Sequence, residues 1–314
     1  MRGVFACMTA QQGGDMKRID RRKVIAGAVG GLAAHVLAAP EQSHAQGDGT
    51  DIRTPAPSPE PLLPGHRILS YYGFPGNNLM GILGEYSKED LRKRLIRQLR
   101  AYERVDDSRP WKLAYEVIAS VAQRDPMPDG SYLTRTDPKT IGEYASYTAQ
   151  HDMLLILDMQ FGRRSVEEEL EAALPWLALP HVHLALDPEF KVKDGEQPGV
   201  HLGSIEAADI TYAQETLADF ASRRGLPPKL LIVHQFHYAV IENKDRLQPV
   251  PGVQFVLEVD GFGTPDEKRE TYRVMTQNPI EYHGFKLWYR QDEPLMTEEE
   301  VLALNPSPDL IIYQ

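Results

Sequence analysis

The chain has 314 residues, with 45 acidic against 34 basic side chains and a formal net charge of -11. That balance argues against nucleic acid or an anionic membrane surface as the main partner. A single cysteine, Cys7, excludes a disulfide framework and a cysteine-ligated zinc site, so a packed core must supply the stability.

The first 45 residues read as an export signal. Arg21 and Arg22 precede the mild apolar run VIAGAVGGLAAHVLAA and the small-residue site SHA, Ser43 to Ala45. The order of basic region, short apolar core and cleavage site is that of a secretory signal. The paired arginines and the Gly/Ala-rich core resemble the twin-arginine type. The run is too short for a stable membrane span, and Cys7 lies upstream of it, where lipid anchoring is not expected. Loss of residues 1–45 would leave 28 basic and 42 acidic residues, a charge of -14. Residues 46–66 carry prolines at positions 55, 57, 59, 61 and 64 and read as an extended, disordered linker. The folded domain is expected over 67–314.

From Arg67 onward, eight short apolar runs recur in order: RILSYYG, WKLAYEVIAS, MLLILDMQ, VHLALDPEF, KLLIVHQF, VQFVLEVDGFG, GFKLWYR and DLIIYQ. Helical patterns lie between them. The clearest follows Ser87, a good N-cap, with Leu91, Leu95, Ile96, Leu99 and Tyr102 on one face. Patterns starting at Ser165, Ser204 and Thr264 are weaker. The basic strip RKRLIRQLR of the first helix, after Ser87, reads as a solvated face that pairs with nearby acids. Near-continuous apolar strands alternating with helices predict an α/β chain with a covered parallel sheet. Eight units in this length match a single (β/α)8 TIM barrel, with no helix expected after strand eight. An open dinucleotide-binding sheet is disfavoured, because YYGFPGNN lacks the G-x-G-x-x-G spacing.

Such barrels build their active sites at the C-terminal ends of the strands. There the sequence places Glu116, Asp158 with Gln160, Asp187 with Glu189, His234 with Gln235 and His237, Glu258 with Asp260, and Lys286 with Tyr289 and Arg290. Strand side chains alternate faces, so the i, i+2 pairs Asp158/Gln160, Asp187/Glu189 and Glu258/Asp260 each present two polar groups on one side. In LDPEF the plain alternative is a helix cap, with Asp187 as N-cap and Pro188 as first helical residue. Recurrence of strand-end acids favours a site. Crowded carboxylates in a dry pocket cannot all stay ionised, and that splitting makes one an acid and its neighbour a base.

Aromatics gather at the same ends: Tyr71, Tyr72, Phe74, Phe236, Tyr238, Phe262, Trp288 and Tyr289. Rings that stack on sugars, beside acids that bind hydroxyls, suit a saccharide cleft. The motif LDPEF in an exported eight-stranded barrel resembles the glycoside hydrolase barrels, including chitinase-like and lysozyme-like ones. Those families also place an Asp-x-Glu after strand four. The chitinase-type D-x-x-D-x-D-x-E run is missing, which speaks against a substrate-assisted mechanism. YYG-x-P, LDPEF, HQF, VDGFG and YRQD also resemble a family of uncharacterised exported bacterial barrels.

The expected function is that of an exported glycoside hydrolase, periplasmic or extracellular, acting on a cell-envelope or environmental polysaccharide. Glu189 would be the general acid, tuned by Asp187, with Asp260 or Asp158 as nucleophile or base. Glu116, Tyr72, Gln160, His234, Gln235, Glu258, Lys286, Trp288, Tyr289 and Arg290 would bind substrate, and no cofactor is expected. One alternative is a divalent-metal hydrolase or isomerase drawing on Glu116, Asp158, Asp187, Glu189, His234, His237 and Asp260, although no H-x-H or H-E-x-x-H motif occurs. Another is a non-catalytic sugar-binding barrel. DGFG reads as a glycine-bearing turn after an acid, and no nucleophile elbow is present.

Overall fold

A computed structural model describes residues 60–277 and 282–314. The predicted export signal and most of the predicted linker lie outside the described residues. Eight parallel strands form a closed barrel: β1 Arg67–Gly73, β2 Trp111–Ala122, β3 Leu154–Gly162, β4 Val182–Lys191, β5 Lys229–Gln235, β6 Val253–Val259, β7 Tyr282–Leu287 and β8 Leu310–Tyr313. Each pairs with its sequence neighbours, and β1 closes the ring by pairing with both β8 and β2. The helices are α1 Lys88–Val105, α2 Pro138–Gln150, α3 Val166–Leu177, α4 Ala207–Arg224, α5 Pro265–Met275 and α6 Glu298–Leu302. The fold is the expected α/β barrel.

Local chemistry starts the helices where the sequence suggests. Ser87 caps α1 by accepting from the Asp90 amide, while Ser165, Thr264 and Thr297 form capping boxes with Glu168, Glu267 and Glu300. Each satisfies amides that a helix start would leave orphaned. Two differences from expectation concern connections. β5 and β6 are joined by 3₁₀ turns at Tyr238–Val240 and Lys244–Arg246 instead of an α-helix, since this stretch ends in the proline-bearing QPVPG and lacks an apolar helical face. Asp187 is no helix cap, because β4 continues through Pro188 and Glu189 to Lys191.

Strand alternation separates two cores. In β3, Leu155, Leu157, Met159 and Phe161 pack in the layer under the helices, while Leu154 and Ile156 join Ile68, Leu230, Ile232, Val256, Leu310 and Ile312 inside the barrel. The lower end of the lumen is closed by chain expected to be linker. Leu63 is fully buried in the lumen core. Gln254 of β6 grips its backbone, donating to the Leu63 carbonyl at 2.6 Å and accepting from the Leu62 amide at 2.9 Å. The folded part therefore starts before Arg67: a barrel mouth lined by Ile68 and Leu310 leaves apolar surface that a leucine covers at a gain of about 2 kcal/mol.

Candidate active site in the barrel lumen

The upper lumen opens into a cavity of about 270 Å³ whose walls include Tyr72, Gln160, Asp187, Glu189, Phe236, Asp260, Phe262, Lys286, Trp288 and Gln314. All eight strands contribute to it through residues at or just past their C-terminal ends, Ala122 among them for β2. Below it lies a closed polar layer of Glu116, Asp158, His234 and Glu258, all 2% exposed or less and none bordering the cavity. Each sits two residues before a wall residue of its own strand, namely Ile118, Gln160, Phe236 and Asp260, so one pleat repeat sets it about 6.6 Å deeper.

His234 is the hub of this layer. Its Nε2 lies 2.8 Å from Glu116 Oε1 and its Nδ1 lies 2.8 Å from Glu258 Oε2 and 3.1 Å from Asp260 Oδ2. Lys286 Nζ donates to the same Asp260 oxygen at 3.0 Å and rests 3.7 Å from the Tyr72 ring centroid and 4.8 Å from that of Trp288. Tyr72 donates its hydroxyl to Asp158 at 2.9 Å. Gln160 accepts from the Ala122 amide at 2.8 Å and donates to Asp187 at 3.3 Å, and Asp187 accepts from the Glu189 amide at 3.2 Å. The Glu189 carboxyl itself makes no hydrogen bond or ion pair among the described residues, and the residue borders the cavity.

Six acids thus face two cations of the lumen, and Glu116 Oε2, Asp158 Oδ1 and Asp260 Oδ1 are buried without a hydrogen-bond partner. Protons relieve that shortage, because a protonated carboxyl becomes a donor. Burial and the charge of Asp187 hold Asp158 well above the usual carboxylate range. Burial, Asp187 and Asp260 do the same to Glu189, and burial also raises Asp187. Burial and Asp260 push Glu258 up to about 7. Asp260 moves the other way: burial opposes its charge, but Lys286 and His234 outweigh it and lower its pKa. Burial likewise opposes charge on His234, yet Glu258, Asp260 and Glu116 raise it well above the ordinary histidine value.

Several supports have no polar signature in the sequence. Gly284 of β7 stands beside Glu258 in register, and a Cβ there would meet the Glu258 Cγ at 2.9 Å, so the missing side chain makes room for the carboxylate. At Gly203 a Cβ would fall 2.3 Å from the Pro188 carbonyl. Its amide donates to the Glu189 carbonyl at 2.8 Å, which fixes the strand end bearing Glu189. A buried pair, Lys268 and Asp292 at 3.0 Å, ties two loops together: Asp292 accepts from the Trp288 amide at 2.9 Å and the Gly263 amide at 3.0 Å. It holds Phe262 edge-on to Trp288 at 5.7 Å. DGFG is the expected turn after an acid, between β6 and α5.

Other expected site residues lie elsewhere. Gln235 neighbours the inward His234 and so faces the helices, where Lys244 donates to it at 2.8 Å. Glu116, His234 and Glu258, expected at the substrate, are enclosed below it, as is Asp158. His237 caps a 3₁₀ turn by accepting from the Ala239 amide, apart from His234. Tyr238 is 72% exposed. Tyr289 and Arg290 border a different cavity, shared with Tyr71. Strict alternation after Trp288 already turns Tyr289 outward.

Two overlapping groups, Glu116, Asp158 and His234, and His234, Glu258 and Asp260, bring one ligand atom each within 4.8 Å of one another. Such mixed oxygen and imidazole sets suit a divalent cation. In the second group the Lys286 ammonium already pairs with the Asp260 oxygen that faces His234. No protein-family model matches the chain and no curated protein matches it. No helix among the described residues is long and apolar enough to cross a membrane.

Proposed function

We propose that the protein is a glycoside hydrolase that cleaves a polysaccharide in the upper lumen, outside the cytoplasm if the leader acts as an export signal. One observation carries this reading: a single cavity presents a carboxyl pushed well up, Glu189, beside one held down by two cations, Asp260. Divergent pKa values in one site are what a general acid and its ionised partner require. Glu189 gives its proton to the glycosidic oxygen as the bond to the anomeric carbon breaks. The Asp260 carboxylate attacks that carbon, or takes a proton from the water that does. Asp187, held by Gln160 and the Glu189 backbone, keeps Glu189 protonated through its charge. Trp288, Phe262 and Phe236 supply faces for sugar rings, and Lys286 holds Asp260 in place.

Reducing-end release from a panel of neutral and acidic polysaccharides tests this reading. Glu189→Gln and Asp260→Asn should each lower turnover by about 10²–10⁴-fold while the melting temperature stays near that of the parent. Activity should be bell-shaped in pH: protonation of Asp260 closes the acid side, and loss of the Glu189 proton closes the alkaline side. Full activity in either variant, or no cleavage of any polysaccharide by the parent, overturns the assignment. The metal-dependent reading is tested apart from it, since activity that vanishes on chelation and returns with a stoichiometric divalent ion would replace it.

A further inference from the structure

A second cavity, of about 360 Å³, lies between α1, β1 and the segments that follow β1 and β7, lined by Tyr71 and Tyr289 together with Arg94, Arg97 and Arg290. The basic strip of α1 divides here. Arg92 and Lys93 pair with Glu89 and Asp90 as expected of a solvated face, but Arg94 and Arg97 form no ion pair among the described residues. Arg94 lies over the Tyr86 ring at 3.9 Å instead, and both guanidiniums pull the Tyr71 hydroxyl down against the burial that raises it. Arg290 alone is neutralised, by Glu85 at 2.7 Å. The tyrosine wall is held by ring contacts: Tyr289 stacks on Tyr313 at 5.1 Å and meets Tyr71 edge-on at 6.4 Å. In a chain of net charge -11, two arginines without an ion pair among the described residues line a hollow with an aromatic wall.

The same two segments wall both cavities. Asn77, Leu79 and Met80 border the lumen cavity while Ile82, Glu85 and Tyr86 border this one, and Trp288 faces the first while Tyr289 and Arg290 face the second. A polymer leaving the lumen across the ridge that joins Arg290 to the Asn78 carbonyl would meet the arginines next. We infer that this cavity is a subsite for a carboxylate-bearing sugar unit, so that the substrate is an acidic polysaccharide. The inference rests on the glycosidase reading for the role of the lumen. A tyrosine face takes the sugar ring, and the forked guanidiniums of Arg94 and Arg97 match a planar carboxylate.

The test measures binding, so that it can fail independently of cleavage. In the Glu189→Gln background, affinity electrophoresis and calorimetry with polygalacturonate and alginate are compared with xylan and dextran. Arg94→Ala/Arg97→Ala should bind the two uronans at least tenfold more weakly. A control with the same loss of charge, Lys93→Ala/Arg104→Ala, should stay within twofold of the parent. Arg97→Gln alone, with its melting temperature recorded, separates lost binding from lost folding. Free galacturonate should compete. Equal weakening by both double variants, no preference for uronans over neutral glycans, or displacement by inorganic phosphate but not by galacturonate overturns the inference.

Discussion

Two layers of one lumen, built from the same inward positions of the same strands, differ in almost every physical respect. The lower layer is Ile68, Leu154, Ile156, Leu230, Ile232, Val256, Leu310 and Ile312, closed by Leu63. The layer above it packs Glu116, Asp158, His234 and Glu258 as tightly, and Asp187, Glu189, Asp260 and Lys286 lie at the cavity. Moving two or four residues along a strand converts dispersion and burial into a charge network that costs stability. The lumen thus gathers its buried charges at and just beneath the cavity, with the apolar floor below to hold the strands in register.

The largest expected effect comes from breaking the upper layer. Lys286→Met removes the cation that Asp260 and the rings of Tyr72 and Trp288 surround, and should cost about 3–5 kcal/mol in denaturant unfolding. The acid side of the activity profile should move to higher pH, because Asp260 loses a group that holds its pKa down. In the lower layer, Ile232→Ala should cost about 2–5 kcal/mol through a cavity, by the same amount at pH 5 and pH 8.

That contrast in pH response is the sharper comparison. Glu258 titrates near 4.5 in an unfolded chain and near 7 here, through burial and the charge of Asp260, with His234 and Lys286 opposing. Between those values the folded protein keeps a proton that the unfolded chain has lost, so the contribution of Glu258 to stability is full below about pH 4.5 and falls as pH rises toward 7. The raised values of Asp158, Asp187, Glu189 and His234 act in the same direction, and Asp260 titrates below this window. Melting temperature should fall from pH 5 to pH 8, and Glu258→Gln should flatten the slope, read by calorimetry across that range. The smallest effect belongs outside the lumen: Ser87→Ala removes the cap of α1 and should cost about 1 kcal/mol at either pH.

Alternation made most of this legible from the chain alone. Asp158, Gln160, Asp187, Glu189, His234, Glu258, Asp260, Lys286 and Trp288 all point inward as the period of two requires, and the same rule excludes Gln235 and Tyr289, which only their polarity and position recommended. Depth was not legible. Glu116 and Asp187 both read as acids at strand ends, yet Glu116 lies in the middle of β2, sealed beside His234, while Asp187 borders the cavity. Gly284 and Gly203 carry no chemistry of their own and reveal their role only against Glu258 and Glu189. Leu63 reads as linker because its neighbours are prolines, and only the closed barrel supplies the apolar lumen it fills.

Which face each side chain takes is a local property of an extended backbone, and so the eight strands and the inward polar set follow from the order of residues. Which of those acids meets solvent, which shares a proton and which is held ionised depends on partners up to 118 residues away, as Glu116 and His234 are. Those distances are set by the closure and stagger of the barrel, because pKa values and cavities arise between strands rather than along them.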